Sequence, residues 1–247
     1  MNTTEQIKAI QRVVGTLDDG KAGPSTWNNF YKHFGNSGSI DIRYPYDTKE
    51  FGCYVITSTY DRVKPVDNDG RSGVGSYAYS MSGSFTYPSG QRPISIMVKD
   101  GVVISSVACH YWTMDKPEGV LYCHYDGSYG MKQCKLANEL PEGVKWAVGG
   151  LTMIRDGKPY FQFAVEGFTG KYSDVKRTTA HNAIGFDKYG NVLGVYHPYC
   201  SLASFQSRCI SLGMVDGISL DGGSVSAINT PTYKKNLYTR QGYAIQY

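Results

Sequence analysis

The sequence predicts an α+β fold: a mixed, mostly antiparallel sheet domain with few packed helices, plus a small N-terminal helical unit. Three observations carry this. Glycine (29) and tyrosine (21) are abundant among the 247 residues, which favours strands and turns over helices. From about Ile40 onward, β-branched and aromatic runs are punctuated by Asp-Gly and other turn signals. Helical spacing is confined to Thr4–Phe34 and to the stretch after Ser201.

The helical unit comes first, over residues 1–35. Ile7, Ile10, Val13 and Val14 recur at helical spacing. Asp18-Asp19-Gly20-Lys21-Ala22-Gly23-Pro24 is a turn, and Ser25-Thr26 can cap a second helix carrying Trp27, Phe30, Tyr31 and Phe34. Gln11 with the Asp19-Gly20-Lys21-Ala22-Gly23-Pro24-Ser25-Thr26 turn resembles the peptidoglycan-binding repeat. A helical hairpin that simply docks on the main domain is the alternative reading. Gly35-Asn36-Ser37-Gly38-Ser39 reads as a linker to the main domain, residues 40–247.

Gly52–Thr59 and Tyr77–Phe85 are candidate strands. Ile94–Val98 and Val102–Ile104 form a hairpin around Lys99-Asp100-Gly101. Trp146–Arg155 is a second apolar run ending in Asp156-Gly157. Ala183–Phe186 and Val192–Tyr196 pair across the Asp187–Gly190 turn. Ser201 caps a helix whose Leu202, Phe205, Cys209 and Leu212 form one buried stripe, ended by Gly213. The chain then enters Ile218-Ser219-Leu220-Asp221-Gly222-Gly223-Ser224, a strand whose end holds a carboxylate beside two residues without a Cβ. An ordinary Asp-Gly turn has the same appearance. After Asn229, Thr230-Pro231 and a Lys/Tyr-rich tail read as a closing loop and a last strand.

Composition narrows the function. Hydrophobic residues at 41% and charged residues at 19% describe a globular protein, and the net charge of +4 is not gathered into a basic run, so no nucleic-acid partner is expected. No apolar run reaches the length of a membrane span, so no membrane partner is expected either. The first residues lack the blocks of a secretion signal, and six cysteines are too few for a disulfide framework. The expected setting is therefore a bacterial or phage-infected cytoplasm with reduced thiols, possible release or virion association left open. No G-x-S-x-G elbow, phosphate loop or dinucleotide fingerprint is present. Cys109-His110 and Cys123-His124 match no common zinc spacing, and adjacent residues on a strand point to opposite faces. No metal and no cofactor are expected.

The order of segments is more telling. Arg177-Thr178-Thr179-Ala180-His181-Asn182-Ala183-Ile184-Gly185, a strand, a helix ending at Gly213 and then Leu220-Asp221-Gly222-Gly223-Ser224 resemble the NAGPA-type phosphodiester glycosidases over about residues 53–229. These are relatives of the enzyme that uncovers mannose 6-phosphate by removing N-acetylglucosamine from its phosphodiester. The resemblance implies hydrolysis of the glycosyl-phosphate bond of a sugar 1-phosphodiester. Such a bond has a good leaving group, so the enzyme needs a carboxylate, or a water activated by one, at the anomeric carbon and donors on the phosphate.

The implied catalytic residues are Asp221, His181 and His197, with Asp216 and Glu166 as other acids near the motif. Arg177, Asn182, Gly222, Gly223, Ser224, Ser82 and Gly83 are the implied substrate or phosphate contacts. The chain departs from the family pattern in three places. Ser82 stands where an asparagine is usual, His197-Pro198 replaces Asp-Gly, and several residues separate Arg177 from Ala183-Ile184-Gly185. Either Arg177 reaches the pocket from a longer loop, or His181 and Asn182 take its place. The expected partner is a sugar-phosphate or cell-wall glycan; the alternatives are a cytosolic nucleotide or nucleotide-sugar, or a non-catalytic glycan-binding or phage structural protein. Oligomeric state is left open.

Overall fold

The computed structural model describes residues 3–15, 19–21, 23, 25–26, 29, 44–68, 73–83, 85, 94–107, 116–169, 175–237 and 243–247. The chain divides into two compact units, Met1–Tyr44 and Pro45–Tyr247.

In the first unit, helix α1 spans Thr3–Val14. Gln11 on α1 is 2% exposed, and its side chain organises the turn that follows. Its amide nitrogen donates to Asp19 Oδ1 (2.7 Å), the Lys21 carbonyl (2.9 Å) and Thr26 Oγ1 (3.2 Å), while its oxygen accepts from the Gly20 N–H (2.8 Å). A buried amide satisfied on both ends fixes a loop that has few apolar residues of its own. Of the second helix expected after the turn, Ser25, Thr26 and Asn29 are helical, while Trp27, Phe30, Tyr31, Phe34 and the linker lie outside the described residues.

The second unit begins with β1 (Tyr46–Glu50), β2 (Cys53–Ser58), β3 (Lys64–Asp67) and β4 (Ser80–Ser82). The hairpin β5 (Met97–Lys99) and β6 (Val102–Ser105) follows, then β7 (Glu118–His124), β8 (Tyr129–Cys134), β9 (Val144–Arg155) and β10 (Lys158–Pro159). Next come β11 (Thr179–Asp187), β12 (Val192–Cys200), helix α2 (Leu202–Ser211) and β13 (Met214–Ser219). The chain ends with β14 (Ile228–Asn229), β15 (Lys234–Lys235) and β16 (Tyr243–Gln246).

Among the described residues the strands make two sheets. The large one runs β1-β2-β12-β11-β13-β9-β5-β6, with β10 and the β7–β8 hairpin also joined through β9. The small one runs β15-β14-β4-β16-β3. Every pairing between named strands is antiparallel, where a mixed sheet was expected.

Period-two alternation sorts the core into two faces. Ala183 of β11, Val195 of β12 and Met153 of β9 face α2, where they pack with Leu202, Phe205 and Cys209. Ile184 and Phe186 of β11, Ile218 of β13 and Trp146 of β9 face the small sheet and meet Met81, Ile228, Ile245 and Tyr247. Helix α2 starts as the sequence indicates, with Ser201 Oγ accepting from the Ser204 N–H (3.2 Å), and the chain leaves it through Gly213 at φ +92°.

Two differences from expectation have local causes. The strand expected over Tyr77–Phe85 is only three residues long. Residues 77–79 bend instead, following a 3₁₀ turn at Val74–Ser76 that is tied back by Ser80 Oγ donating to the Val74 carbonyl (2.5 Å). The β7–β8 hairpin was not anticipated, because β8 (Tyr-Gly-Met-Lys-Gln-Cys) lacks clean alternation.

The topology brings four strand ends together. Because β11 is antiparallel to both β12 and β13, and β12 to β2, the start of β11 lies beside the ends of β12 and β13 and the start of β2. The Phe51-Gly52 turn between β1 and β2 joins them at that end of the sheet.

Candidate functional site

Asp221 lies two residues beyond the end of β13, where strand hydrogen bonding gives way to side-chain support. The Leu220 N–H still donates to the Asn182 carbonyl (2.9 Å), and the Asp221 N–H reaches the Gly83 carbonyl (3.3 Å). The Asp221 carbonyl accepts from Asn182 Nδ2 (3.2 Å) and Ser226 Oγ (3.3 Å), and its carboxylate Oδ1 accepts from the Gly222 N–H (2.9 Å). The residue is half-buried.

Asn182 and Ser82 form the support behind this turn. Ser82 Oγ accepts from Asn182 Nδ2 (2.5 Å) and from the Ala227 N–H (2.9 Å), joining β11, β4 and the segment ahead of β14. Both residues are buried, at 0% and 2% exposure, so they hold the Asp221 backbone rather than face solvent. The Asn182 Oδ1 is buried as well and has no hydrogen-bond partner among the described residues. Gly83 contributes its carbonyl.

The 222–223 turn is packed against the start of β11. Gly223 has φ +71°, and a Cβ there would lie 2.6 Å from a terminal nitrogen of Arg177 and 3.7 Å from Thr179 Oγ1. The exposed Arg177 guanidinium therefore rests on the glycine backbone, as a forked donor at the rim of the turn. A Cβ on Gly222 would lie 3.0 Å from the Ala180 carbonyl and 3.6 Å from His181 Nδ1. Ser224 is exposed, in the 3₁₀ turn Gly223–Val225.

His181 is buried on the α2 face, stacked on Phe205 with ring centroids 5.5 Å apart. Its Nε2 lies 3.2 Å from the Arg177 carbonyl and 3.1 Å from the Cys200 carbonyl. Two acceptors at one nitrogen require the proton to sit there, so the neutral ring has its lone pair on Nδ1, beside Gly222. Burial lowers the His181 pKa, the two carbonyls oppose that shift, and the Arg177 charge adds to it. The ring is neutral at neutral pH.

His197 is the register partner of His181 across β11–β12, one strand further from the 221–223 turn. Its Nδ1 accepts from the Tyr199 N–H (3.1 Å), and its Nε2 lies 3.2 Å from the position of a Cβ on Gly52.

Two other acids lie elsewhere. Asp216 is near the opposite end of β13, accepting from the Asp156 N–H (3.2 Å). Glu166 is fully buried and accepts from the Thr152 N–H (2.8 Å), Thr152 Oγ1 and Gln133 Nε2 (3.0 Å). Among the described residues no group of three or more His, Cys, Asp or Glu side chains is placed to hold a metal ion. Cys109 and His110 lie outside the described residues, and burial pushes the Cys123 thiol up to about 12.

Sequence reasoning gave no role to Thr179 or Arg208. Thr179 was one hydroxyl among three polar neighbours, and Arg208 looks like an ordinary solvated residue off the apolar stripe of α2. Neither offers a signal until the strand ends are brought together.

A family model described as NAGPA, phosphodiester glycosidase, matches residues 76–243. Among solved structures, the chain is similar to the zebrafish N-acetylglucosamine-1-phosphodiester alpha-N-acetylglucosaminidase catalytic domain, auto-inhibited by pro-peptide. The identity is 13% and the TM-score 0.63, over 82% of this chain and 81% of that one. It is also similar to a hypothetical protein from Synechocystis, at 12% identity and TM-score 0.55, over 82% of this chain and 61% of that one. At these identities the structural likeness speaks to the fold. No curated protein matches the chain. The family match leaves the N-terminal unit uncovered.

Proposed function

The chain belongs to the NAGPA phosphodiester glycosidase family and is a glycosidase hydrolase, and from that premise we propose that it cleaves the glycosyl-phosphate bond of a sugar 1-phosphodiester at the 221–223 turn. One observation supports this most: a guanidinium (Arg177), a carboxylate (Asp221) and a neutral imidazole lone pair (His181) surround the same two glycines.

In this reading the phosphate lies against Gly223, held by Arg177 and Thr179. The bond from the anomeric carbon to the phosphate oxygen breaks, and the phosphate departs as a monoester with the bonding electrons. Water adds to the anomeric carbon and gives its proton to Asp221, while His181 Nδ1 accepts a hydrogen bond from the same water. No strong acid is required, since the leaving phosphate is a weak base. Ser82 and Asn182 act through the Asp221 backbone, and Gly222, Gly223 and Ser224 line the approach.

The zebrafish protein is named for an N-acetylglucosamine-1-phosphodiester, so that sugar is the first to test. For the finer substrate, the proposal is a bacterial or phage enzyme acting on cell-wall-related glycans, guided there by the N-terminal unit. The Gln11-bonded turn, with the polar residues of the peptidoglycan-binding pattern, supports it. Retention on purified sacculi by the full chain, lost on removal of residues 1–35, is the expected result.

Asp221→Asn tests the chemistry. It keeps the shape and the Gly222 contact but removes the base, so turnover should fall about 10²–10⁴-fold with unchanged melting. Wild-type turnover in that variant would remove Asp221 from the mechanism.

A further inference from the structure

On the α2 side of the large sheet, a group of half-buried aromatic rings adjoins the 221–223 turn. Phe85, Phe161, Phe163 and Val175 all pack against the apolar core that includes Leu151, Met153 and Phe168. Three links tie this group to the turn. Phe85 is two residues beyond Gly83, at most about 7 Å along the chain, and the Gly83 carbonyl accepts from the Asp221 N–H (3.3 Å). Leu151 is the register partner of Ser219, two residues ahead of Asp221. Lys176, whose Nζ lies 4.1 Å from the Phe163 ring centre, immediately precedes Arg177.

The rings are arranged for one kind of ligand. Phenylalanine and valine side chains offer no hydrogen-bonding atom. Phe161 and Phe163 are stacked, with ring centres 4.7 Å apart and planes 21° apart. With Phe161 and the Lys176 ammonium both set over it, Phe163 has its faces engaged, and its edge is left to meet a ligand. Phe85 is tilted by 42° against Phe168, with centres 5.3 Å apart. A nucleobase needs a ring face on which to stack, whereas a hydrocarbon chain gains from any apolar surface it covers.

The span is within reach of such a chain. Ile154 of β9 pairs with Gly217 of β13 on one side and Pro159 of β10 on the other, and the Tyr160 N–H donates to the Met153 carbonyl (2.9 Å), which carries the second pairing on toward Phe163. The segments leading to Asp221 and to Phe163 therefore flank β9, two strand spacings or about 10 Å apart. The eight bonds from the ester oxygen to the end of a geranyl main chain cover about 9 Å, taking an extended chain at about 3.5 Å per three bonds.

We propose that Phe85, Phe161 and Phe163, bordered by Lys176, form the subsite for the alcohol on the far side of the phosphate, and that this alcohol is an acyclic hydrocarbon. The substrate class is then a sugar 1-phosphodiester of a prenyl-type alcohol. Exposed Lys176 and Arg177 hold the anion at the rim while the chain lies along the rings. This rests on the glycosidase reading given above.

The test compares three esters of N-acetylglucosamine: the 1-(methyl phosphate), the 1-(geranyl phosphate) and the 1-(uridyl phosphate). The geranyl ester should exceed both others in kcat/KM by at least about 10-fold, the discrimination that added apolar contact gives. Phe163→Ala should lower kcat/KM about 10-fold on the geranyl ester and less than about 3-fold on the methyl ester, and Phe163→Leu should recover part of the loss. The ratio of the two esters within one variant separates this from general damage to the fold, which lowers both alike. Equal rates on the geranyl and methyl esters, a uridyl ester as fast as the geranyl one, or equal losses on all three in Phe163→Ala would each overturn the proposal.

Calorimetric titration of the wild-type chain gives a readout that needs neither turnover nor a stable variant. Geranyl phosphate should bind at least about 10-fold more tightly than methyl phosphate. Equal affinities would overturn the subsite even if the methyl ester is hydrolysed. Tighter binding of geranyl phosphate with no hydrolysis of any ester would instead retain the subsite and defeat the glycosidase reading.

Discussion

Gly223→Ala probes the contact on which the proposed phosphate grip depends. The new Cβ would sit 2.6 Å from the Arg177 terminal nitrogen, whereas ordinary contact begins at 3.4 Å, so the guanidinium must retreat by about 0.8 Å. Displacements near 1 Å cost an oriented reaction about 10²-fold, so kcat/KM should fall by roughly 10- to 100-fold. The backbone adds its own cost. Gly223 has φ +71°, a region that costs an L-residue about 1–2 kcal/mol, or roughly 2–8 °C in melting temperature for a chain of this size. Gly190→Ala separates the two effects: its φ is +80°, yet a Cβ there meets nothing within 4 Å. It should lose similar stability and keep its activity. The assay follows release of the phosphate monoester from the methyl phosphodiester, alongside thermal melts of both variants. A Gly223→Ala enzyme with wild-type kcat/KM would refute the placement of Arg177 in the reaction, as would an equal loss of activity in Gly190→Ala.

Two further expectations concern the support of the site and of the sheet. Ser82→Ala strips the acceptor from both Asn182 Nδ2 and the Ala227 N–H, so unfolding free energy should drop by about 1–3 kcal/mol in denaturant titration, with a smaller effect on KM than on kcat. Glu166→Gln should flatten the pH profile of stability. Burial raises the Glu166 pKa above 4.5, so between 4.5 and the raised value the native state binds more protons than the unfolded chain, and stability falls as pH rises through that window. Melting curves taken on both sides of it should show the variant gaining on the wild type toward alkaline pH; parallel profiles would contradict this.

The elements legible in the sequence are those fixed by neighbours along the chain. Ser201 and Gly213 delimit α2, and Asp100-Gly101 and Asp156-Gly157 close their hairpins with both residues at positive φ, the geometry a two-residue strand connection needs. The small sheet was legible only in part: β4 lies within the strand read over Tyr77–Phe85 and β16 in the tail read as a last strand, but β3, β14 and β15 are short pieces from distant parts of the chain with too little alternation to announce themselves. The site divides along the same line. Asp221 with its two glycines stands out as a motif, and Arg177 does so through the family pattern. That Arg177 rests on Gly223, and that Arg208 comes to lie beside His197, depends on the β11–β13 and β11–β12 registers, which no local pattern encodes.

The hairpin that carries His181 and His197 also determines where the molecule can be handled. Strand β11 runs from Thr179 to Asp187, about 26 Å at the usual rise per residue. Its far tip, Lys188-Tyr189-Gly190, is stitched by the Asp187 carboxylate to the N–H groups of Tyr189 (2.8 Å) and Asn191 (2.9 Å). An affinity tag, fluorophore or surface tether attached at Tyr189, itself 44% exposed, would hang from the opposite pole of the ribbon. Immobilised there, the strand ends that carry Arg177 and Asp221 would point away from the support.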